Sequence, residues 1–217
     1  IDVAHGHHEN VKNALKCLKN SLPKMVDVVA GNIATIDSAV DLASWGADGL
    51  RVGIGGGSVC TTRVKTGFGI PNITAIQQIA EISSIPFMID GGIRSSGDIA
   101  KALALGADCA MIGSLLSGTD QTPQAIIYKD GKKYKSYRGL ASRETKETHN
   151  QEVRNVEGVA TLVPYKGDAN EIIEDIVDSL KSALSYGGSF NLEQFRLVDY
   201  IRVTNAGAKE AKPHLVS

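Results

Sequence analysis

Pro86-Phe87-Met88-Ile89-Asp90-Gly91-Gly92-Ile93-Arg94, continued by the segment from Ser95 to Leu105, contains the pattern that decides the fold. An unbroken apolar run ends on an acidic residue and two glycines. A helical stripe of Ile99, Ala102, Leu103 and Leu105 follows, opened by the N-capping residue types Ser96 and Asp98. Continuous rather than alternating hydrophobicity suits a strand covered on both faces, as in parallel sheets. The same unit recurs outward in both directions. Apolar runs at residues 1–4, 26–30, 49–53 and 109–114 read as further strands, and Val11, Leu15, Leu18 and Leu22 form another helical stripe.

Repeated strand–helix units predict an α/β architecture. The connection after the third strand is the longest, and a (β/α)8 barrel builds its site from such loops at the C-terminal ends of its strands. Five strands do not close eight. The expectation is therefore a TIM barrel of which this chain holds about the last five units, with the N-terminal barrel half missing from it. An open doubly wound sheet is the alternative, with an unpaired edge at each end.

One domain over 1–217 is expected: strand–helix units over 1–118 with a functional loop at 53–71, a polar flap region over 119–167, and a final helix and tail over 168–217. The flap region holds an Asp130-Gly131 turn between two expected strands and a charged stretch at 143–157. The final helix has Ile172, Ile173, Ile176, Val177, Leu180 and Leu184 on its inner face, and the tail from Tyr200 begins as a strand. Lys and Arg total 23 and Asp and Glu 24, a net charge of -1, which gives nucleic acid or an anionic membrane no attracting field. No apolar run approaches bilayer length. Three cysteines, Cys17, Cys60 and Cys109, without close spacing fit a reducing cytoplasm better than a disulfide framework.

The chemistry concentrates in Arg51-Val52-Gly53-Ile54-Gly55-Gly56-Gly57-Ser58-Val59-Cys60-Thr61-Thr62-Arg63. Its glycines allow sharp turning and close approach to a ligand. A cysteine just past such a turn, with hydroxyls and Arg51 and Arg63 nearby, suits a nucleophilic thiolate; a buried, inert cysteine is the competing reading. His5, His7 and His8 lack the carboxylate or cysteine partners of a zinc site and read as solvated loop residues.

The segment 53–63, followed by Lys65-Thr66-Gly67-Phe68-Gly69-Ile70-Pro71, resembles the active-site loop of the inosine monophosphate dehydrogenase / guanosine monophosphate reductase family. The resemblance continues through Ile89-Asp90-Gly91-Gly92-Ile93-Arg94, Met111-Ile112-Gly113-Ser114, Tyr137-Arg138-Gly139, Val163-Pro164-Tyr165-Lys166-Gly167 and Ile201-Arg202-Val203-Thr204, in the family's order. It implies that Cys60 attacks C2 of a purine nucleotide monophosphate (GMP or IMP) to give a covalent thioimidate, with hydride passing to or from NADPH or NAD. It implies that Asp90 holds the ribose, and that Ser58, Gly91, Gly92, Gly113, Ser114, Tyr137 and Gly139 bind the nucleotide, chiefly its phosphate. Asp2, Asn32 and Arg51 fall on the nicotinamide side. Carbonyls of Gly55, Gly57 and Cys60 fall where family members hold a monovalent cation such as K+. A homotetramer is also implied.

Two activities stay open. The dehydrogenases of that family activate water with an Arg-Tyr pair on a flap, and residues 143–157 contain none; Arg143 and Arg154 each lack a following Tyr. Segments 61–67 and 130–135 are similar to reductases, whereas 90–103, 113–116 and 204–207 are similar to bacterial dehydrogenases. The acidic partner of Thr62 expected in a reductase aligns with Gln121, beside Asp120, and an amide does not relay a proton as a carboxylate does. The expectation is a reductase with either Asp120 or a weakened relay. IMP dehydrogenase and a non-catalytic nucleotide-binding subunit are the alternatives.

Overall fold

The computed structural model describes residues 1–139, 142, 143, 147 and 156–211. Helix α1 (Glu9–Ser21) leads to β1 (Val29–Ile33), α2 (Ile36–Ser44), β2 (Gly49–Val52), the short α3 (Thr62–Thr66), α4 (Asn72–Ala80), β3 (Phe87–Asp90), α5 (Ser96–Ala104) and β4 (Cys109–Met111). The four strands form one parallel sheet in the order β1-β2-β3-β4. Leu15, Leu42, Leu50, Val52, Ile76, Ile79 and Ile89 are fully buried in a single core between sheet and helices. The expected helical stripes supply much of it: Val11 and Leu15 from α1, and Ile99, Ala102 and Leu103 from α5.

A repeated device starts the strands. Helices α2 and α5 both run into Gly-Ala-Asp, at residues 46–48 and 106–108. Each aspartate then takes the backbone N–H that opens the neighbouring strand: Asp48 accepts from Val28 at 2.7 Å and Asp108 from Phe87 at 2.8 Å. Each is also ion-paired, Asp48 with Lys19 at 2.8 Å and Asp108 with Arg196 at 2.7 Å. Because Asp48 captures the Val28 amide, β1 begins at Val29 rather than at Val26 as the apolar run suggested.

Three other expectations are corrected. Run 1–4 is a short ladder rather than a full strand: Val3 donates to Gly31 O and Asn32 to Val3 O, and only Asp2 is bridged, to Gly31. Gly31 N and Gly6 N extend it by one bond on either side, to Ile1 O and Asn32 O, and the ladder ends where the chain leaves for α1. Run 109–114 stops at Met111; Gly113 instead starts a helical turn, its carbonyl accepting from Leu116 and Ser117. The tail after Tyr200 forms no strand. Ile201 and Val203 are exposed, and the chain goes on to helix α8 (Asn205–Glu210).

The flap region is more ordered than its polarity suggested. Strands β5 (Ile127–Lys129), β6 (Lys132–Arg138) and β7 (Ala160–Pro164) form a second, antiparallel sheet in that order. The expected Asp130-Gly131 turn joins β5 to β6, with φ of 50° and 72°. Most of the charged stretch 143–157, Arg154 included, lies outside the described residues. Helix α6 (Ala169–Tyr186) packs against α5 through Ile176, Leu180, Ala183 and Leu184. Its apolar face is narrower than expected, because Ile173 and Val177 lie off that line and are exposed. A short α7 (Leu192–Phe195) inserts Phe195 into the core. Among the described residues no helix is long and apolar enough to cross a membrane.

Candidate active site

The C-terminal ends of the parallel strands open into a cleft of about 360 Å³. Alternation along β2 buries Leu50 and Val52 and leaves Arg51 facing the cleft. Asp90, at the end of β3, is its partner: Arg51 Nε and Nη2 both lie 3.1 Å from Asp90 Oδ2. The other branch of the guanidinium reaches Asp2 at 2.5 Å. Desolvation alone would lower the Arg51 pKa, but the two carboxylates outweigh it and raise it above the ordinary arginine value. Asn32, buried at the end of β1, donates to the same Asp90 oxygen at 2.6 Å and to Gly53 O at 2.8 Å. Thus Asn32 and Arg51, expected on the nicotinamide side, converge on Asp90, Asp2, expected there too, joins them through Arg51, and all three line this first cleft.

Past β2 the chain turns at Gly53, whose φ of 130° and a would-be Cβ 2.2 Å from Asp90 O exclude any side chain. The loop then rests on the turn after β3. A Cβ at Gly91 would stand 2.7 Å from Gly57 N, so the two loops touch backbone to backbone. Cys60 is held by its N–H to Gly57 O at 3.1 Å and by an antiparallel bridge to Gly158. Thr61 N donates to Glu157 O, and Val159 N to Val59 O. These bonds fasten the loop to the segment that enters β7.

The consequence is a line of three side chains. The Cys60 thiol donates to Thr62 Oγ1 at 3.1 Å, and the Thr62 hydroxyl donates to Glu157 Oε2 at 2.6 Å. The carboxylate partner of Thr62 is therefore Glu157, not Gln121 or Asp120. Gln121 instead donates to Asp168 at 2.8 Å and accepts from the Ala169 amide at 2.9 Å, which fastens the start of α6. Asp120 accepts from the Tyr165 hydroxyl at 2.7 Å, and that bond raises the tyrosine's pKa. One sequence signal could have found Glu157: it stands with Gly158 directly before the segment leading to Val163-Pro164-Tyr165-Lys166-Gly167. Cys60 is also the one cysteine that lines the cleft. Cys109 lies on β4, its thiol pushed up by desolvation and by Asp108.

Of the residues expected around the nucleotide, Asp90, Gly113, Tyr137 and Gly139 line the cleft, and Arg138 joins them unforeseen. Ser58, Gly91, Gly92 and Ser114 do not line it. Ser58 is exposed, and Gly91 lies beneath the cysteine loop, its carbonyl held by Asn72 Nδ2 at 2.6 Å. Gly55, Gly57 and Cys60 lie together in the loop, and the Gly57 carbonyl already accepts the Cys60 amide. A second cleft of about 630 Å³, largely apolar, shares Ala4, Ile54, Thr62 and Glu157 with the first and extends to His5, His7, Ile33 and Phe68. His7 pairs with Asp41 at 2.8 Å and stacks on Trp45, while His8 caps α1 by accepting from Asn10 N.

A family model described as "IMP dehydrogenase / GMP reductase domain" matches residues 1–214. The chain is 41% identical over 230 residues to an inosine-5'-monophosphate dehydrogenase of Nitrosopumilus maritimus, covering 99% of this chain and 48% of that protein. It is 46% identical over 208 residues to a GMP reductase of Ligilactobacillus salivarius, covering 95% and 62%. A solved Cys-to-Ala variant of GMP reductase from Trypanosoma brucei, in complex with guanosine 5'-monophosphate, superposes with a TM-score of 0.93 at 37% identity. That match covers 100% of this chain and 47% of the other. The chain thus spans about half the length of most of the curated relatives it matches.

Proposed function

The chain belongs to the IMP dehydrogenase / GMP reductase family, and from that premise we propose that it carries the reacting cysteine of an oxidoreductase acting at C2 of a purine nucleoside monophosphate. The observation that carries the reading is the Cys60–Thr62–Glu157 line at the cleft. Transfer of the thiol proton through the Thr62 hydroxyl to the Glu157 carboxylate frees a thiolate beside the bound ring. In the direction we favour, GMP reduction, the sulfur adds to C2 and the same line returns a proton to the departing 2-amino group. Ammonia leaves and a thioimidate at Cys60 remains. Hydride at C2 then releases the sulfur and gives IMP.

The nicotinamide dinucleotide, NADPH in this direction, would supply that hydride. The second cleft suits a planar ring: it is largely apolar and meets the first at Thr62 and Glu157. Asp90 suits the ribose, because among the described residues every hydrogen bond its carboxylate receives goes to Oδ2. Gly113, Tyr137 and Gly139 suit the phosphate. Carbonyls of Gly55, Gly57 and Cys60 would hold a K+ ion. The parallel sheet is read as an arc of a (β/α)8 barrel, supported by the match to the Trypanosoma brucei enzyme. A homotetramer in a reducing cytoplasm completes the reading, supported by family membership and three free thiols.

Reductase is preferred because residues 143–157 contain no Arg-Tyr pair to activate water, and because Glu157 supplies the carboxylate that Gln121 lacks. The alternative, IMP plus NAD and water to XMP, is kept alive by the dehydrogenases among the relatives. Incubation with GMP plus NADPH, and separately with IMP plus NAD, decides between them. Loss of NADPH absorbance with ammonia release in the first is expected. Turnover only in the second assigns the dehydrogenase, and silence in both overturns the proposal.

A further inference from the structure

Lys135 lies in the middle of β6 and is only 4% exposed. Among the described residues its ammonium group has no carboxylate partner. Its bonds go to neutral oxygens: the carbonyls of Thr119 at 2.7 Å, Thr122 at 2.9 Å and Asp120 at 3.3 Å, and the Thr122 hydroxyl at 3.4 Å. An ammonium has three N–H donors, so this set satisfies it fully. Burying an unpaired charge is costly, and such a charge persists only where oxygens replace its hydration shell. Converging neutral oxygens around one positive charge form the kind of cage that holds a free monovalent cation. Here the cation is delivered on a side chain.

The cage ties two walls of the nucleotide cleft together. On β6 the next residue on the same strand face is Tyr137, which lines the cleft. The caged segment, residues 119–122, directly follows the helical turn that begins at Gly113. The two walls nearly touch, because a Cβ placed on Gly113 would lie 3.2 Å from the Tyr137 hydroxyl. Lys166 grips the same turn from the other side, donating to Ser114 O at 2.8 Å and Leu115 O at 3.0 Å. Helix α6 is fastened to the caged segment through Gln121.

We infer that Lys135 is a tethered monovalent cation that positions the phosphate wall, setting the spacing of Tyr137 from Gly113. This rests on the reading of the cleft as a purine monophosphate site. Lys135 touches no substrate and is a positioning residue.

Substituting Lys135→Ala removes the side chain beyond Cβ and leaves the oxygens of the cage in place, whereas Lys135→Met fills the cage with an apolar chain. In Lys135→Ala the KM for GMP rises about tenfold while kcat stays within about twofold, since buried carbonyls left unpaired shift the wall rather than the reacting groups. Added n-propylammonium, ammonium or K+ chloride restores KM and raises Tm in a saturable way. n-Propylammonium leaves Lys135→Met and the unsubstituted protein unchanged relative to choline chloride, and the effects of ammonium and K+, which also suit the Gly55, Gly57 and Cys60 carbonyls, are read as the difference from the unsubstituted protein. An unaltered KM in folded Lys135→Ala overturns the inference, as does a raised KM that none of the three cations lowers. Should Lys135→Ala fold only when purified with n-propylammonium, its unfolding on removal of that amine, but not on removal of choline, supports the cage. If the unsubstituted protein fails to bind GMP, the nucleotide reading falls, and the Tm response to the cations alone decides the cage.

Discussion

The two sheets of this molecule bear on the same cleft and are built in opposite ways. Strand β1 is buried over its last four residues, β2 is buried except at half-buried Arg51, and β3 alternates buried with half-buried positions. Strands β5 and β7 are exposed along nearly their whole length. The buried sheet fixes Asn32, Arg51 and Asp90 on a backbone that cannot shift without breaking the core. The exposed sheet and the segment that enters it bring Tyr137 and Glu157 to them, joined to the rest by isolated bridges, by backbone bonds such as Thr61 N to Glu157 O, and by side-chain bonds. Asp90, proposed for the ribose, thus stands on the buried layer, whereas Tyr137, proposed for the phosphate, and Glu157, proposed to take the proton, stand on or beside the exposed one.

The largest effect that probes this division is expected at Glu157. Glu157→Gln keeps a hydrogen bond to Thr62 but cannot take a proton, so kcat falls by about 10²-fold or more with KM for the nucleotide little changed. Gln121→Glu, by contrast, leaves kcat unaltered; steady-state kinetics on both variants checks the assignment. On the rigid side, Asp90→Asn weakens nucleotide binding by about 10- to 100-fold, the loss expected of hydrogen bonds to a charged acceptor. Calorimetric titration measures it. In stability the two sheets part again. Leu50→Ala, in the core, costs about 2–5 kcal/mol in denaturant unfolding. Tyr128→Ala, on β5 and 71% exposed, costs within about 0.5 kcal/mol.

The smallest effect concerns the Gly-Ala-Asp device. The hydrogen bond from Lys19 and that from the Val28 amide hold Asp48 below its ordinary pKa of 3.8. A depressed carboxylate contributes stability above its unfolded pKa and loses it as pH falls through the lower folded value. Asp48→Asn therefore lowers Tm slightly at neutral pH, and the gap to the unsubstituted protein closes below about pH 3.8. Thermal melts across that range follow it.

The same contrast explains what could be read from the residues alone. Unbroken apolar runs and 3.6-residue stripes announce buried elements, so the strands of the parallel sheet were legible to within a few residues, and Asp90 and Cys60 with them. The misplaced ends had local causes that no pattern reveals, such as the Asp48 carboxylate capturing the Val28 amide. The antiparallel sheet gave its turn, Asp130-Gly131, and the two strands beside it, but not β7. Strand β7 carries too little buried surface for a period, and its pairing with β6 is set by partners remote in sequence. For that reason linear alignment assigned the acidic partner of Thr62 to Gln121. Glu157 reaches Thr62 across 95 residues of chain, through a bridge between Cys60 and Gly158. Lys135 gave no signal at all, because a lysine in a charged hairpin reads as solvated.

The central claim is a covalent bond between the sulfur of Cys60 and C2 of a purine. Acid-quenching the protein during turnover with GMP and NADPH, followed by peptide mass spectrometry, tests it directly. The account predicts a nucleotide-mass increment on the peptide containing Cys60, absent from Cys60→Ala, which is also inactive. Steady turnover with that peptide always unmodified, and persisting after the thiol is alkylated, would contradict it.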